Sequence, residues 1–107
     1  MILTNLGKCG YKNKQIEKGI QKRLCKELKN AQTEVETPGG FIDILTDDEI
    51  IEIKTGKNWK DAIGQILVYS EFYPKHKKRI HLFNIENSIL INNSCKKHDI
   101  VVTYENN

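Results

Sequence analysis

Between Lys14 and Ala31 the apolar positions are Ile16, Ile20, Leu24, Leu28 and Ala31, three or four residues apart. That period draws one apolar stripe along an amphipathic helix and persists through Gly19. Thr33 to Thr37 then reads as a short strand, closed by the turn residues Pro38-Gly39-Gly40. Phe41 to Leu45 and Glu49 to Lys54 are isoleucine-rich runs separated by polar residues, and they predict a hairpin. From Trp59 the helical period returns. Trp59, Ala62, Ile63, Ile66, Leu67, Ser70 and Tyr73 share a stripe that stops before Pro74, with Thr55 or Asn58 as its cap. Arg79 to Ile85 and Ile100 to Tyr104 read as strands. Glu86 to Lys97 stays open between strand and short helix, because Ile89-Leu90-Ile91 fits either. The predicted order is α-β-β-β-α-β-(α)-β, an α/β or α+β fold around a central mixed sheet flanked by helices.

The 107 residues, 38% hydrophobic and 29% charged, suffice for one hydrophobic core, so residues 1–107 are expected to form a single domain. No apolar run approaches the roughly 20 residues of a membrane span. Met1 to Leu6 is too short an apolar stretch for a signal peptide. An intracellular protein with no membrane partner is expected, in the cytoplasm or, if viral, in the nucleus or elsewhere in a host cell.

Charge adds a direction. The net charge is +3, which permits nucleic-acid binding without requiring it. Lys75, His76, Lys77, Lys78 and Arg79 form one basic run and Lys96-Lys97-His98 a shorter one. Lys18, Lys22 and Lys26, with Lys29 after them, fall at helical spacing. Such groups are ordinarily solvated faces, and they matter here as a phosphate track beside a site identified on other grounds. Cys9, Cys25 and Cys95 are odd in number and form no C-x-x-C pair, which speaks against a disulfide framework or a zinc site and for inert thiols. His76, His81 and His98 show no metal-ligand spacing, and His76 and His98 read as surface.

The hairpin carries the candidate chemistry. With Asp47-Asp48 as a two-residue turn tolerant of positive φ, Thr46 faces Glu49, Leu45 faces Ile50, Ile44 faces Ile51 and Asp43 faces Glu52. Alternation then puts Asp43, Glu52 and Lys54 on one face, and Ile42, Ile44, Ile51 and Ile53 on the other, to pack on a helix. Opposed carboxylates on neighbouring strands repel, and a divalent cation between them removes that penalty. Hard oxygen ligands suit Mg²⁺, and Lys54 would stand beside a water on the metal or a phosphate oxygen. The plainer alternative is an exposed, charged sheet face.

Gly40-Phe41-Ile42-Asp43, then Glu52-Ile53-Lys54-Thr55-Gly56, then Gln65 and Tyr69 on a helix, resembles the PD-(D/E)XK nuclease superfamily, and within it the RecB-like branch. The resemblance runs from Glu17 to Tyr69, about half the chain, and implies a restriction-endonuclease-like core. It implies that Asp43 and Glu52 bind metal, that the Ile53 backbone carbonyl completes the metal shell, and that Lys54 is the catalytic lysine. Gln65 would orient phosphate or the attacking water, supported by Tyr69 one turn on. Glu17 is the candidate for the family's acid on the first helix, with Glu27 and Glu36 as competitors. No Pro precedes Asp43. The four cysteines of the iron–sulfur members are missing, so no cluster is expected.

The expected function is therefore a Mg²⁺-dependent deoxyribonuclease, with Mn²⁺ able to substitute, an endonuclease selecting DNA structure or ends, and possible as a homodimer. Lys18, Lys22, Lys26, Lys57, Lys60, Lys75, Lys77, Lys78 and Arg79 are its candidate DNA contacts. The alternatives are a non-catalytic nucleic-acid-binding module on the same fold and a small interaction protein whose charged sheet face is incidental.

Overall fold

A computed structural model describes residues 2–106 of the chain, with the side chains of 12–106. The element order is α1 (Ile2–Glu27), β1 (Gln32–Thr37), β2 (Gly40–Leu45), β3 (Glu49–Thr55), a single 3-10 turn (Gly56–Asn58), α2 (Trp59–Ser70), β4 (Lys77–Phe83), α3 (Ser88–Lys97) and β5 (Ile100–Glu105). The five strands lie in sequence order in one mixed sheet. β1, β2 and β3 are antiparallel, joined by tight turns, and β3, β4 and β5 are parallel. Parallel neighbours need crossovers, and α2 and α3 supply them. The expected α+β order is present, with the open segment settled as a helix whose start is capped by the Asn87 side chain accepting from Leu90 N.

Two apolar layers hold the sheet. Ile16, Ile20, Leu24 and Leu28 of the α1 stripe pack with Ile44, Ile51, Ile53 and Phe83. On the other side α2 (Ala62, Ile63, Ile66, Tyr69) and α3 (Ile91, Cys95) cover Ile42, Ile50, Ile80, Leu82 and Ile100. His81, itself buried, bridges Thr103 Oγ1 and Glu105 Oε1 at 2.6 Å each, and Arg23 of α1 pairs with the same Glu105. That network ties α1 to the far edge strand.

Several sequence expectations need correction. α1 ends at Glu27, earlier than the stripe suggested, because Asn30 turns left-handed (φ 56°) and breaks the helix; Lys29 lies beyond it. β4 begins at Lys77, so Lys77 and Lys78 belong to a strand. The hairpin turn needs no positive φ at Asp47 or Asp48. The Thr46 hydroxyl closes it instead, accepting from Asp48 N (3.3 Å) and Glu49 N (2.9 Å). Neither Thr55 nor Asn58 caps its helix through a side chain. Ile42 lies in the α2 layer and not with Ile44, Ile51 and Ile53. His76 is half-buried, its Nε2 3.0 Å from Thr46 O and its ring edge-on to Tyr73. Cys95, by contrast, agrees with the expected inert thiol: it is buried, which pushes it up to about 11, while the Cys9 side chain lies outside the described residues.

Candidate functional site: an acidic gap in the sheet

The β2–β3 ladder pairs Leu45 with Ile50 and Ile44 with Ile51, in the expected register, and stops there. Asp43 and Glu52, which that register would oppose next, are not a ladder pair. Asp43 also drops out of the β1–β2 ladder, which runs from Thr33–Ile44 straight to Val35–Ile42 and skips Glu34. The sheet thus opens between β2 and β3 at Asp43, while the β1–β2 ladder keeps its register on either side of that residue.

Side chains take over the freed backbone groups. Ile53 N donates to Asp43 Oδ2 at 2.8 Å, a charge-assisted bond of about 1.5–3 kcal/mol in place of the backbone rung. Gln21 Nε2 on α1 donates to the Asp43 carbonyl at 2.8 Å and reaches Glu34 Oε1 at 3.4 Å. Glu34 itself sits at φ 52°, left-handed and unusual for a glutamate. That backbone inversion turns Glu34 toward the gap.

Glu52 is 3% exposed, and its Oε1 has no hydrogen-bond partner among the described residues. Burial, and then the Asp43 charge, push its carboxyl up to about 9. Asp43 is raised too, chiefly by burial, against the opposing pull of the Ile53 amide. The two carboxyls titrate as a coupled pair, and without a cation the pair holds a proton more tightly than free carboxylates do. Lys54, half-buried two residues beyond Glu52, acts electrostatically on Asp43, Glu52 and Glu17 alike. Glu17 is raised by burial first, and the Asp43 charge adds to it. A cavity of about 250 Å³ is lined by Lys14, Glu17, Lys18, Gln21, Glu34 and Asp43.

Tyr69 is buried on α2 with its phenol raised by burial, then by the charges of Glu52, Asp43 and Glu34. Its position explains Gly40. That residue has φ 128°, and a Cβ there would lie 3.0 Å from the Tyr69 hydroxyl oxygen. Gly56 is tight as well, since its Cβ would fall 2.6 Å from Asn84 O. Gln65 is half-buried one turn before Tyr69, and no side-chain hydrogen bond ties it to the acids.

The structure therefore gathers Asp43, Glu52, Lys54, Glu17 and Tyr69 within one electrostatic neighbourhood. Of the competing acids, Glu27 pairs with Arg23 at 3.8 Å, and Glu36 lies exposed opposite Phe41. The cationic candidates separate. Lys18, Lys22 and Lys26 line a groove of about 910 Å³ between α1 and β1. Lys57 lies in the turn before α2, and Lys60 Nζ rests 5.7 Å from the Trp59 ring centre. Lys77 pairs with Glu49, three residues and roughly 10 Å along the strand from Glu52. Lys75 and Lys78 belong to the same end of the sheet. Arg79 has internal partners: it donates to Thr103 Oγ1 at 3.1 Å and lies 3.8 Å from Glu49, so it is not a free phosphate contact.

Gln21 and Glu34 escaped the sequence reading. Gln21 follows Glu17 by four residues and so shares its helix face, a readable signal. Glu34 gave none, because only its inverted backbone brings it to the gap.

The donor set fits a hard divalent cation: two carboxylates, one with an orphaned buried oxygen, and the Ile53 carbonyl. The Ile53 N–H faces the gap, and the carbonyl of the same residue points to that side of the strand. Among the described residues no three His, Cys, Asp or Glu side chains form a metal cluster, so such an ion would lean on that carbonyl and on water.

No family model matches the chain, and no solved structure does. Three proteins of Acanthamoeba polyphaga mimivirus, each named for a KilA-N domain, are similar to it. One is 47% identical over 92 residues, 84% of this chain and 26% of the relative. A second is 47% identical over 90 residues, 82% of this chain and 36% of the relative. The third is 51% identical over 75 residues, 70% of this chain and 20% of the relative. The chain thus spans between a fifth and just over a third of the curated viral relatives it matches, and what they share with it is a segment.

Proposed function

We propose that this chain is a DNA-binding module whose acidic gap seats a divalent cation and hydrolyses phosphodiesters. The binding half is supported by the unpaired lysines beside the gap and by the likeness to segments of viral proteins named for a KilA-N domain. Action inside a host cell is part of this reading. The hydrolytic half is carried by one observation: the sheet opens at Asp43, so that its carboxylate and the buried, half-orphaned Glu52 carboxyl meet where no backbone rung intervenes. It agrees with the PD-(D/E)XK resemblance in Gly40, Asp43, Glu52 and Lys54.

Asp43, Glu52 and the Ile53 carbonyl would hold Mg²⁺ or Mn²⁺. The ion would supply charge neutralisation at the phosphate and a more acidic water. Lys54 adds a cation over the same phosphate, where negative charge grows in the transition state. Tyr69, wedged against Gly40, fixes the α2 end of the site, and Gln65, one turn before it, would reach phosphate. Cutting both strands of a duplex would take two copies of the chain.

The test is a cleavage panel over linear, nicked, single-stranded and four-way-junction DNA with Mg²⁺ and with Mn²⁺. Lys54→Ala is expected to lose at least a hundredfold in rate while keeping its fold. Undiminished cleavage by that variant sinks the hydrolytic reading. A second reading, binding without catalysis, is favoured by the likeness to segments of viral proteins whose names give a KilA-N domain and no catalytic activity. DNA binding in EDTA with no cleavage under either metal would establish it.

A further inference from the structure

We infer that the groove between α1 and β1 is the track of a single DNA strand, led by the α1 lysines to the acidic gap. This rests on the nucleic-acid reading above and adds the strand's path and number. The groove has Lys18, Lys22 and Lys26 on its α1 wall and Thr33 and Glu34 on its β1 wall. It shares Lys18, Gln21 and Glu34 with the cavity that holds Glu17 and Asp43, so the two spaces adjoin.

Charge singles out this wall of α1. Lys18, Lys22 and Lys26 are exposed and make no ion pair or hydrogen bond among the described residues. Arg23, on the same helix but engaged away from the groove floor, is already paired with Glu27 and Glu105. Three ammonium groups at four-residue steps form a row about 12 Å long, matching an extended polyanion. The row ends at Glu34, Glu17 and Asp43, where repulsion stops a phosphate unless a divalent cation is seated.

Gly19 supplies an independent indication. It lies exposed in the middle of α1, where glycine is a poor helix former, and a Cβ there would meet nothing within 4 Å. Packing in the chain therefore does not call for glycine. A bare backbone between Lys18 and Lys22 lets a sugar–phosphate chain lie close against the helix. The groove, about 910 Å³, carries its ammonium groups in one row on one wall, which matches the backbone of one strand.

The experiment is fluorescence anisotropy of the full chain with a labelled 15-nucleotide DNA, in EDTA, across a salt series. Blunt duplex and single-stranded RNA of the same sequence serve as the other probes. Single-stranded DNA is expected to bind tightest. The triple variant Lys18→Gln/Lys22→Gln/Lys26→Gln should lower the log–log salt slope by about 2, at about 0.7 per lost phosphate contact. Gly19→Leu should weaken binding at least fivefold with the slope unchanged and no loss of thermal stability. Lys96→Gln/Lys97→Gln, at the exposed end of α3, should bind as the parent does. Tightest binding to duplex or RNA, an unchanged slope in the triple variant, or parental binding by Gly19→Leu overturns the inference. These readouts use no metal and no cleavage. Loss of the hydrolytic reading leaves them standing, and their failure beside intact Mg²⁺-dependent cleavage refutes the track alone.

Discussion

Glu52→Gln isolates the energetic consequence of an acid buried against an acid. In the folded chain the Glu52 carboxyl titrates near 9, against an ordinary value of 4.5. A raised acid binds its proton more tightly folded than unfolded. The native state is therefore unpenalised below about pH 4.5 and loses stability as pH rises through the window up to 9, after which the loss levels off. The slope is about 1.4 kcal/mol per pH unit, which makes roughly 3 kcal/mol between pH 4.5 and 7, a large share of a small domain's stability. Asp43 is raised as well and is coupled to Glu52, so the loss belongs to the pair. Glutamine keeps the shape and removes the charge. In EDTA at pH 7, Glu52→Gln should be more stable than the parent by about 3 kcal/mol, a melting temperature higher by roughly 12–24 °C. Its stability should also stay nearly flat from pH 5 to 8 while the parent's declines. Adding Mg²⁺ or Mn²⁺ should raise the parent's melting temperature and leave the variant's unmoved, because only a native-state ligand stabilises. Parallel pH profiles, or a variant less stable than the parent at pH 7, would refute the picture of a repelling pair held for a cation.

Two further outcomes follow from the opened sheet. Gln21→Met keeps the volume on α1 but removes the donor to the Asp43 carbonyl; it should cost about 1–3 kcal/mol by thermal melt and weaken Mn²⁺ stabilisation. An unaltered melt with unaltered Mn²⁺ response would show that Gln21 does not hold Asp43. Gly40→Ala meets both a positive φ and the Tyr69 hydroxyl, and should cost about 1–3 kcal/mol. Adding Tyr69→Phe should recover the steric share and leave the backbone share, so full recovery, or none, contradicts this division.

The local pattern alone determined most of the architecture. The period of Ile16 to Leu28 and that of Trp59 to Tyr69 specify which helix faces are apolar, and the isoleucine runs around Thr46 specify the hairpin and its register. Those are near-neighbour properties of the chain, set by helical and strand geometry. The placement of Asp43, Glu52 and Lys54 near one another was legible for the same reason, since a hairpin in known register brings its residues together. What only the tertiary structure decided is how that register ends. The ladder could have continued to an Asp43–Glu52 pair; it ends where Gln21 of α1 donates to the Asp43 carbonyl and the Ile53 amide of β3 donates to the Asp43 carboxylate in place of a backbone acceptor. The same break sends Ile42 into the other core layer and inverts Glu34. Which backbone groups are satisfied by which distant side chains is a property of packed layers, and no period along the chain encodes it.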